Sequence, residues 1–308
     1  MGITLDKLMS IRVEGARFSY GNRESMLYAL AVGMGRDPLD ENELPFVFEA
    51  DNGPKTLATM ATVLTQFSAL RTSGIDYTKV LHAEQRLTLH RPLPPAADII
   101  ADYGVIGVVD KGSSKGLLVY TETRVRDAAD GQPLFTAGGT ILARGDGGIG
   151  SSGRPPPVPY PVPVRAPDHV SLLQTRPDQA LLYRLNGDRN SLHSSPARAR
   201  EAGFDRPILH GLCTYGIACR AVLAELCGFD HTRIGRFDVR FSSPVFPGET
   251  VVTEIWANGD TISFRCRVPE RDIIAIDNGL CTLLATRVDD SPSGSRDEPH
   301  SQVSPTLG

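Results

Sequence analysis

Between residues 186 and 196 the sequence reads NGDRNSLHSSP, which places Asp188, Asn190 and His193 within six positions. A carboxylate, an amide and an imidazole this close can do two kinds of work. They can cap backbone groups in a polar turn, or they can hold a water, take one of its protons and return one elsewhere. Taken alone the stretch favours the turn, because Gly-Asp after an apolar run leaves an element and Ser-Ser-Pro enters a helix. Just downstream, RPILHGLCTYGIA sets Gly211 at the start of a long apolar-periodic run. The first N–H groups of a helix have no internal partner and sit at the positive end of its dipole, so they can stabilise a developing oxyanion. His210, read alone, is a packed or solvated ring in front of a helix start.

Composition narrows the setting for such chemistry. The chain has 308 residues, 41% of them hydrophobic, and a formal net charge of −4. It can bury a substantial core, while its acidic balance speaks against general binding to nucleic acid or to an anionic membrane. The five cysteines (Cys213, Cys219, Cys227, Cys266, Cys281) are odd in number and form no CxxC pair. They read as reduced thiols, with neither a disulfide framework nor a zinc site. No run approaches 18 apolar residues, the start MGITLDKLMSIRVEG has no apolar leader core, and the end PTLG is not a Ser-Lys-Leu address. The expectation is a cytoplasmic protein.

The elements that position the loop come in two copies. A Gly/Pro-rich segment, 145–167, divides the chain nearly in half and reads as a linker. Adding 155 to Leu27, Tyr28 and Leu30 gives Leu182, Tyr183 and Leu185, and adding 152 to Pro92 and Pro95 gives Pro244 and Pro247. Matched blocks in the same order indicate duplication. Between them each half offers one helix at 3.6-residue spacing. Leu57, Met60, Ala61, Leu64 and Phe67 mark the first; Leu212, Tyr215, Cys219, Val222, Leu223 and Leu226 mark the second, with Gly228 as its stop. Strand after strand follows each helix, rich in Val, Ile and Thr. One helix wrapped by an antiparallel sheet of about five strands is an α+β layout, the hotdog, here a double hotdog in one chain. The expected units are 1–144 as a non-catalytic repeat that binds the ligand, 145–167 as linker, 168–288 as the repeat with the polar loop, and 289–308 as a disordered tail.

The repeat bears on the choice between turn and proton device. Subtracting 155 places Gly33, Gly35 and Pro38 where the second copy has Asp188, Asn190 and His193. A turn needed only for folding tolerates similar chemistry in both copies, so a loop polar in one copy alone points to a task performed once.

The stretches GDRNSLHSSPARAREAGFDRPILHGLCTYG and HAEQRLTLHRPLPPAADIIADYGVIGVVDKGSSKG resemble the MaoC-like hydratases, and more narrowly the two-hotdog 2-enoyl-CoA hydratase 2 family, over roughly residues 12 to 288. That resemblance implies a hydro-lyase that reversibly hydrates trans-2-enoyl-CoA to (3R)-3-hydroxyacyl-CoA. It implies no metal and no redox cofactor, CoA being part of the substrate, and a homodimer. By position, Asp188 and His193 would be the acid/base pair, Asn190 would orient the water or the thioester, and the Gly211 N–H would meet the thioester oxygen. His82, Ala83, Lys111 and Phe241 would contact CoA or the acyl chain, with Ala83 departing from the glycine common in relatives. Read without the resemblance, His82 is a packed ring, Lys111 a solvated hairpin lysine and Phe241 a core or pocket wall. Which of Asp188 and His193 deprotonates water stays open. A hotdog thioesterase and a non-catalytic acyl-CoA-binding subunit are the rival readings. Loss of the polar loop from the first half is consistent with room made there for a bulky acyl chain.

Overall fold

The structure, a computed structural model, describes residues 3–49, 53–65, 67–154 and 157–285. The expected tail, 289–308, and the last positions of the second unit lie outside the described residues. The first half supplies β1 (Arg12–Tyr20), β2 (Val80–Leu89), β3 (Ala97–Asp110), β4 (Leu117–Asp127) and β5 (Pro133–Ala143). The second supplies β7 (His169–Gln174), β8 (Ile234–Phe241), β9 (Thr250–Asn258), β10 (Thr261–Val268) and β11 (Ile273–Leu283). Between them, inside the Gly/Pro-rich segment, the two-residue β6 (Ser152–Gly153) pairs with β3.

All these strands form one antiparallel sheet in the order β1-β3-β4-β5-β2-β8-β11-β10-β9-β7, with β6 off the path. Read from the centre outward, both halves have the same order. β2 and β8 meet in the middle at Glu84↔Arg240, Gln85↔Val239 and Thr88↔Arg236, so two five-stranded units share one sheet. This is the double hotdog. The edge strands β1 and β7 are additions to the eight strands whose alternation stands out in the sequence.

The described residues include six α-helices: α1 (Leu5–Met9), α2 (Asn22–Ala31), α3 (Leu44–Val47), α4 (Gln179–Tyr183), α5 (Pro196–Glu201) and α6 (Gly211–Cys227). In α6 every residue from Cys213 to Ala218 and on to Cys219 is buried, and Gly228 closes the helix at φ 54°. A helix apolar on all sides must be wrapped on all sides. The sheet covers one side, where Tyr215 donates its hydroxyl to the Phe237 carbonyl at 2.8 Å and Phe237 stacks on Phe264 at 4.6 Å. The first half covers the other. Gly216 lets α2 close in, since a β-carbon there would stand 2.5 Å from Val32 and 2.9 Å from the Tyr28 hydroxyl. Cys213 donates to the Ala31 carbonyl at 3.4 Å, and Arg220 of α6 pairs with the buried Glu43 carboxylate. All five thiols are buried and free.

The helix expected over Leu57 to Phe67 is not present. In its place stands one short 3-10 segment, Ala58–Val63, after which the chain runs irregularly. Leu57, Met60 and Ala61 are buried as their spacing requires, while Leu64 is only partly covered. The stretch is loaded with Thr56, Thr59, Thr62, Val63 and Thr65, and β-branched residues lose rotamer freedom in a helix. Thr62 also bonds its hydroxyl to the Thr59 carbonyl at 2.9 Å, which competes with helical pairing. Apolar spacing survives here without the helix.

The repeat-related tyrosines Tyr28 of α2 and Tyr183 of α4 pack against each other, ring centroids 6.1 Å apart. They lie at the pseudo-twofold relation between halves. The packing of α2 on α6 predicts that Gly216→Val overpacks this contact and lowers stability by about 1–3 kcal/mol. The check is the midpoint of urea unfolding; an unchanged midpoint would contradict the close approach.

Candidate active site

The loop after α4 is built by turns that use the same polar side chains the chemistry needs. A short 3-10 turn, Arg184–Asn186, ends at Gly187 with φ 112°, a left-handed conformation that suits glycine. The chain then reverses into Asp188, whose Oδ1 accepts from the Asn190 backbone N–H at 3.1 Å. Asn190 in turn caps the next 3-10 turn, Ser191–His193, by accepting from the Leu192 N–H at 3.1 Å. The turn reading is met, since both side chains accept from the loop's own backbone N–H groups. One carboxylate oxygen of Asp188 shapes the loop, which leaves the other for chemistry, and Asp188 itself is exposed.

His193 is 9% exposed, and its Nδ1 lies 2.9 Å from the Ile208 carbonyl. A carbonyl only accepts, so Nδ1 carries the proton and Nε2 is left as an acceptor. Burial lowers the pKa of this ring, which keeps it a neutral base near pH 7. His210, the residue before α6, is 1% exposed and stacks on His193 with centroids 3.7 Å apart and planes at 25°. Its Nε2 meets the backbone carbonyl of Asp188 at 3.2 Å.

Asp188, His193 and His210 bring one potential ligand atom each within 4.8 Å of one another. By distance alone that set could take a cation. One nitrogen of each ring is engaged with a backbone carbonyl, His193 Nδ1 with Ile208 at 2.9 Å and His210 Nε2 with Asp188 at 3.2 Å.

Gly211 opens α6 beside this cluster and is exposed, so its N–H is within reach of a ligand. A β-carbon at Gly211 would lie 3.2 Å from the Phe241 ring, which stands over the helix start. Phe241 packs in turn on His82, centroids 4.9 Å apart. His82 reaches that face because the β2–β5 register slips between His82 and Glu84, leaving Ala83 as a bulge. A bulge turns the next side chain to the other face of a strand. The protein around His82 pushes its pKa down to about 4.

The structure thus brings together Asp188, His193, Gly211, Phe241 and His82, with Ala83 at the bulge beside them and Asn190 in the same loop. Lys111 stands apart, exposed on the turn between β3 and β4, where its backbone N–H bonds to the Gly116 carbonyl at 3.0 Å. His210 was read from sequence as a packed or solvated ring; the fold puts it in contact with both members of the acid/base pair. The HG dipeptide before a helix is the signal that marks its place. The cavities of about 240 and 180 Å³ are lined by Arg86, Arg236 and Asp238 and lie away from this cluster. Among the described residues no helix is long and apolar enough to cross a membrane.

Comparison with known proteins agrees with this geometry. Residues 18–145 match the family model of the MFE-2 hydratase 2 N-terminal domain, and residues 157–278 match that of the MaoC like domain. The chain is 38% identical over 287 residues to enoyl-CoA hydratase ChsH3 of Mycobacterium tuberculosis, covering 91% of this chain and 98% of that one. It is 37% identical to the peroxisomal enoyl-CoA hydratase 2 of Arabidopsis thaliana, covering 87% and 91%. Among solved structures, a MaoC-like dehydratase from Phytophthora capsici superposes with a TM-score of 0.82 at 31% identity, covering 92% of this chain and 98% of that one.

Four imidazoles, His82, His193, His210 and His231, are shifted down by withdrawal from water and contribute to the pH dependence of stability. In the folded chain His82 and His210 stay neutral down to about pH 4, and His193 is also held below its ordinary 6.5. Unfolded, each binds a proton near 6.5, so between these values the unfolded state holds more protons. Their stabilisation is complete above about pH 6.5 and is lost as pH falls toward 4. The urea midpoint is expected to drop between pH 7 and pH 5, and His82→Gln to flatten that drop; an identical slope in the variant would refute the assignment.

Proposed function

The chain belongs to the MaoC-like, two-hotdog hydratase 2 family, and on that premise we propose that it hydrates trans-2-enoyl-CoA to (3R)-3-hydroxyacyl-CoA and catalyses the reverse dehydration. The observation that carries this reading is the meeting, in the second half only, of Asp188 and His193 with the exposed start of α6 at Gly211.

Water is a poor nucleophile and needs a base; attack at C3 pushes charge onto the thioester oxygen, which needs donors; and C2 must receive a proton. The His193 Nε2 and the free oxygen of Asp188 hold the water and exchange its protons as a coupled pair. The oxygen bonds to C3 as one proton returns to C2, so water is added whole. The Gly211 N–H, at the positive end of a 17-residue helix, receives the thioester oxygen. Asn190 orients the water or the thioester from the same loop. His82, Ala83 and Phe241 form the wall against CoA and the acyl chain, and Lys111 contacts CoA from its exposed turn.

The proposal uses no metal and no redox cofactor. It includes a homodimer in the cytoplasm, and it gives the first half, which has no acid/base residues at the corresponding loop, the task of binding a long or branched acyl chain. Loss of regular helix after Val63 in that half supports this division of labour.

The test is the fall in conjugated-enoyl absorbance with trans-2-decenoyl-CoA, followed by chiral analysis of the product. Wild-type protein is expected to form the (3R)-alcohol, and Asp188→Asn and His193→Ala to slow it by on the order of 100-fold or more. Free CoA in place of the alcohol would mark a thioesterase, and binding without turnover an acyl-CoA-binding subunit.

A further inference from the structure

His210 is buried, touches both members of the acid/base pair and has one ring nitrogen without a partner. Its Nε2 faces the Asp188 carbonyl at 3.2 Å, so that nitrogen carries the proton. Its Nδ1 is buried with no hydrogen-bond partner in the structure. A proton on Nδ1 would bury an unpaired N–H on a charged ring, which is unfavourable. It would also set a cation 3.7 Å from the ring of His193. Burial acts in the same direction and holds the ring neutral, with a pKa of about 4.

The groups that face His210 come from three elements. Asp188 and His193 approach from the loop, Arg184 from the 3-10 turn before it, and Tyr183 of α4 packs on the far side with ring centroids 5.0 Å apart. The first turn of α6 adds no acidic residue. Asp188 is the one carboxylate of this group, and it meets His210 through its backbone carbonyl.

We propose that His210 is a positioning residue for the acid/base pair: a neutral ring whose Nε2–H pins the backbone of Asp188 while its stacked face fixes the orientation of His193. It touches neither water nor substrate. One ring thereby sets the separation of the two groups that must share a single water. The two imidazoles take opposite tautomers, Nδ1–H in His193 and Nε2–H in His210, because each donates to a different backbone carbonyl. His193 can then accept a proton during turnover beside a ring that carries no charge.

This inference rests on the hydratase reading and is tested so that the two can fail separately. His210→Phe keeps the stacked ring and removes the donor; His210→Gln restores a donor at similar reach. With wild-type protein active on trans-2-decenoyl-CoA, the expected result for His210→Phe is a kcat lowered at least 10-fold with KM within about 3-fold, misplacement of one catalytic group being worth up to about 100-fold. His210→Gln, which restores the donor without the stacked ring, is expected to recover part of the loss. Nitrogen-15 imidazole spectra of the wild-type chain at pH 7 supply a measurement independent of any variant, and should show two neutral rings of opposite tautomer. A wild-type kcat in His210→Phe, a loss in both variants that follows only their melting temperatures, or a charged or Nδ1-protonated His210 would overturn the proposal. An inactive wild type would instead remove the hydratase reading.

Discussion

The burial of α6 is the constraint from which the rest of the architecture follows. Seven consecutive residues, Cys213 to Cys219, are withdrawn from water, so no single apolar stripe describes this helix. A five-stranded unit can cover one side of it; the other side needs α2, brought by the first half of the chain. That enclosure leaves Gly211 exposed at the start of the helix, with Glu225 exposed in its last turn. An exposed helix start concentrates the unpaired N–H groups and the positive dipole end at one point of the surface. The polar loop, Phe241 and His82 all gather there.

The two halves divide their work along the same line. Both retain the sheet order and the tyrosine that meets its counterpart across the middle of the molecule. Only the second retains the long helix and the loop of titratable groups. In the first, Lys55 and Thr56 occupy the positions that correspond to His210 and Gly211 at a shift of 155, and the segment that follows holds one short 3-10 stretch. A helix start without glycine and without a helix behind it offers no comparable oxyanion site. The first half instead contributes packing on α6, the Glu43 carboxylate for Arg220, and the bulged strand that presents His82.

Much of this was legible in the sequence because the signals were local. The loop residues, the HG helix start, Gly228 as helix stop and eight of the strands follow from residue type and short-range spacing. The helix over Leu57 to Phe67 misled because apolar spacing records which residues face the core and not how the backbone carries them there. Threonines can keep that spacing and still divert the backbone. The edge strand β1 hides its alternation behind a register slip between Val13 and Ala16, and the six-residue β7 buries only Leu173. The inward turn of His82 depends on pairing with β5, more than fifty residues away (His82↔Ile141), and so has no local signature. His210 had a marked place but no visible partners, since its contacts with Asp188 and His193 exist only after the loop folds back.

The contact between Tyr28 and Tyr183 has an evolutionary consequence. Where two identical subunits meet on a symmetry axis, every substitution at the axis appears on both sides at once, and a change that helps one side while harming the other is never available. Joining the copies in one gene removes that obligation. Either tyrosine of this chain can vary while its counterpart stays, and the surroundings of each can drift toward a different task. The pair meets ring against ring at 6.1 Å, two residues matched by the internal repeat and each free to diverge from the other.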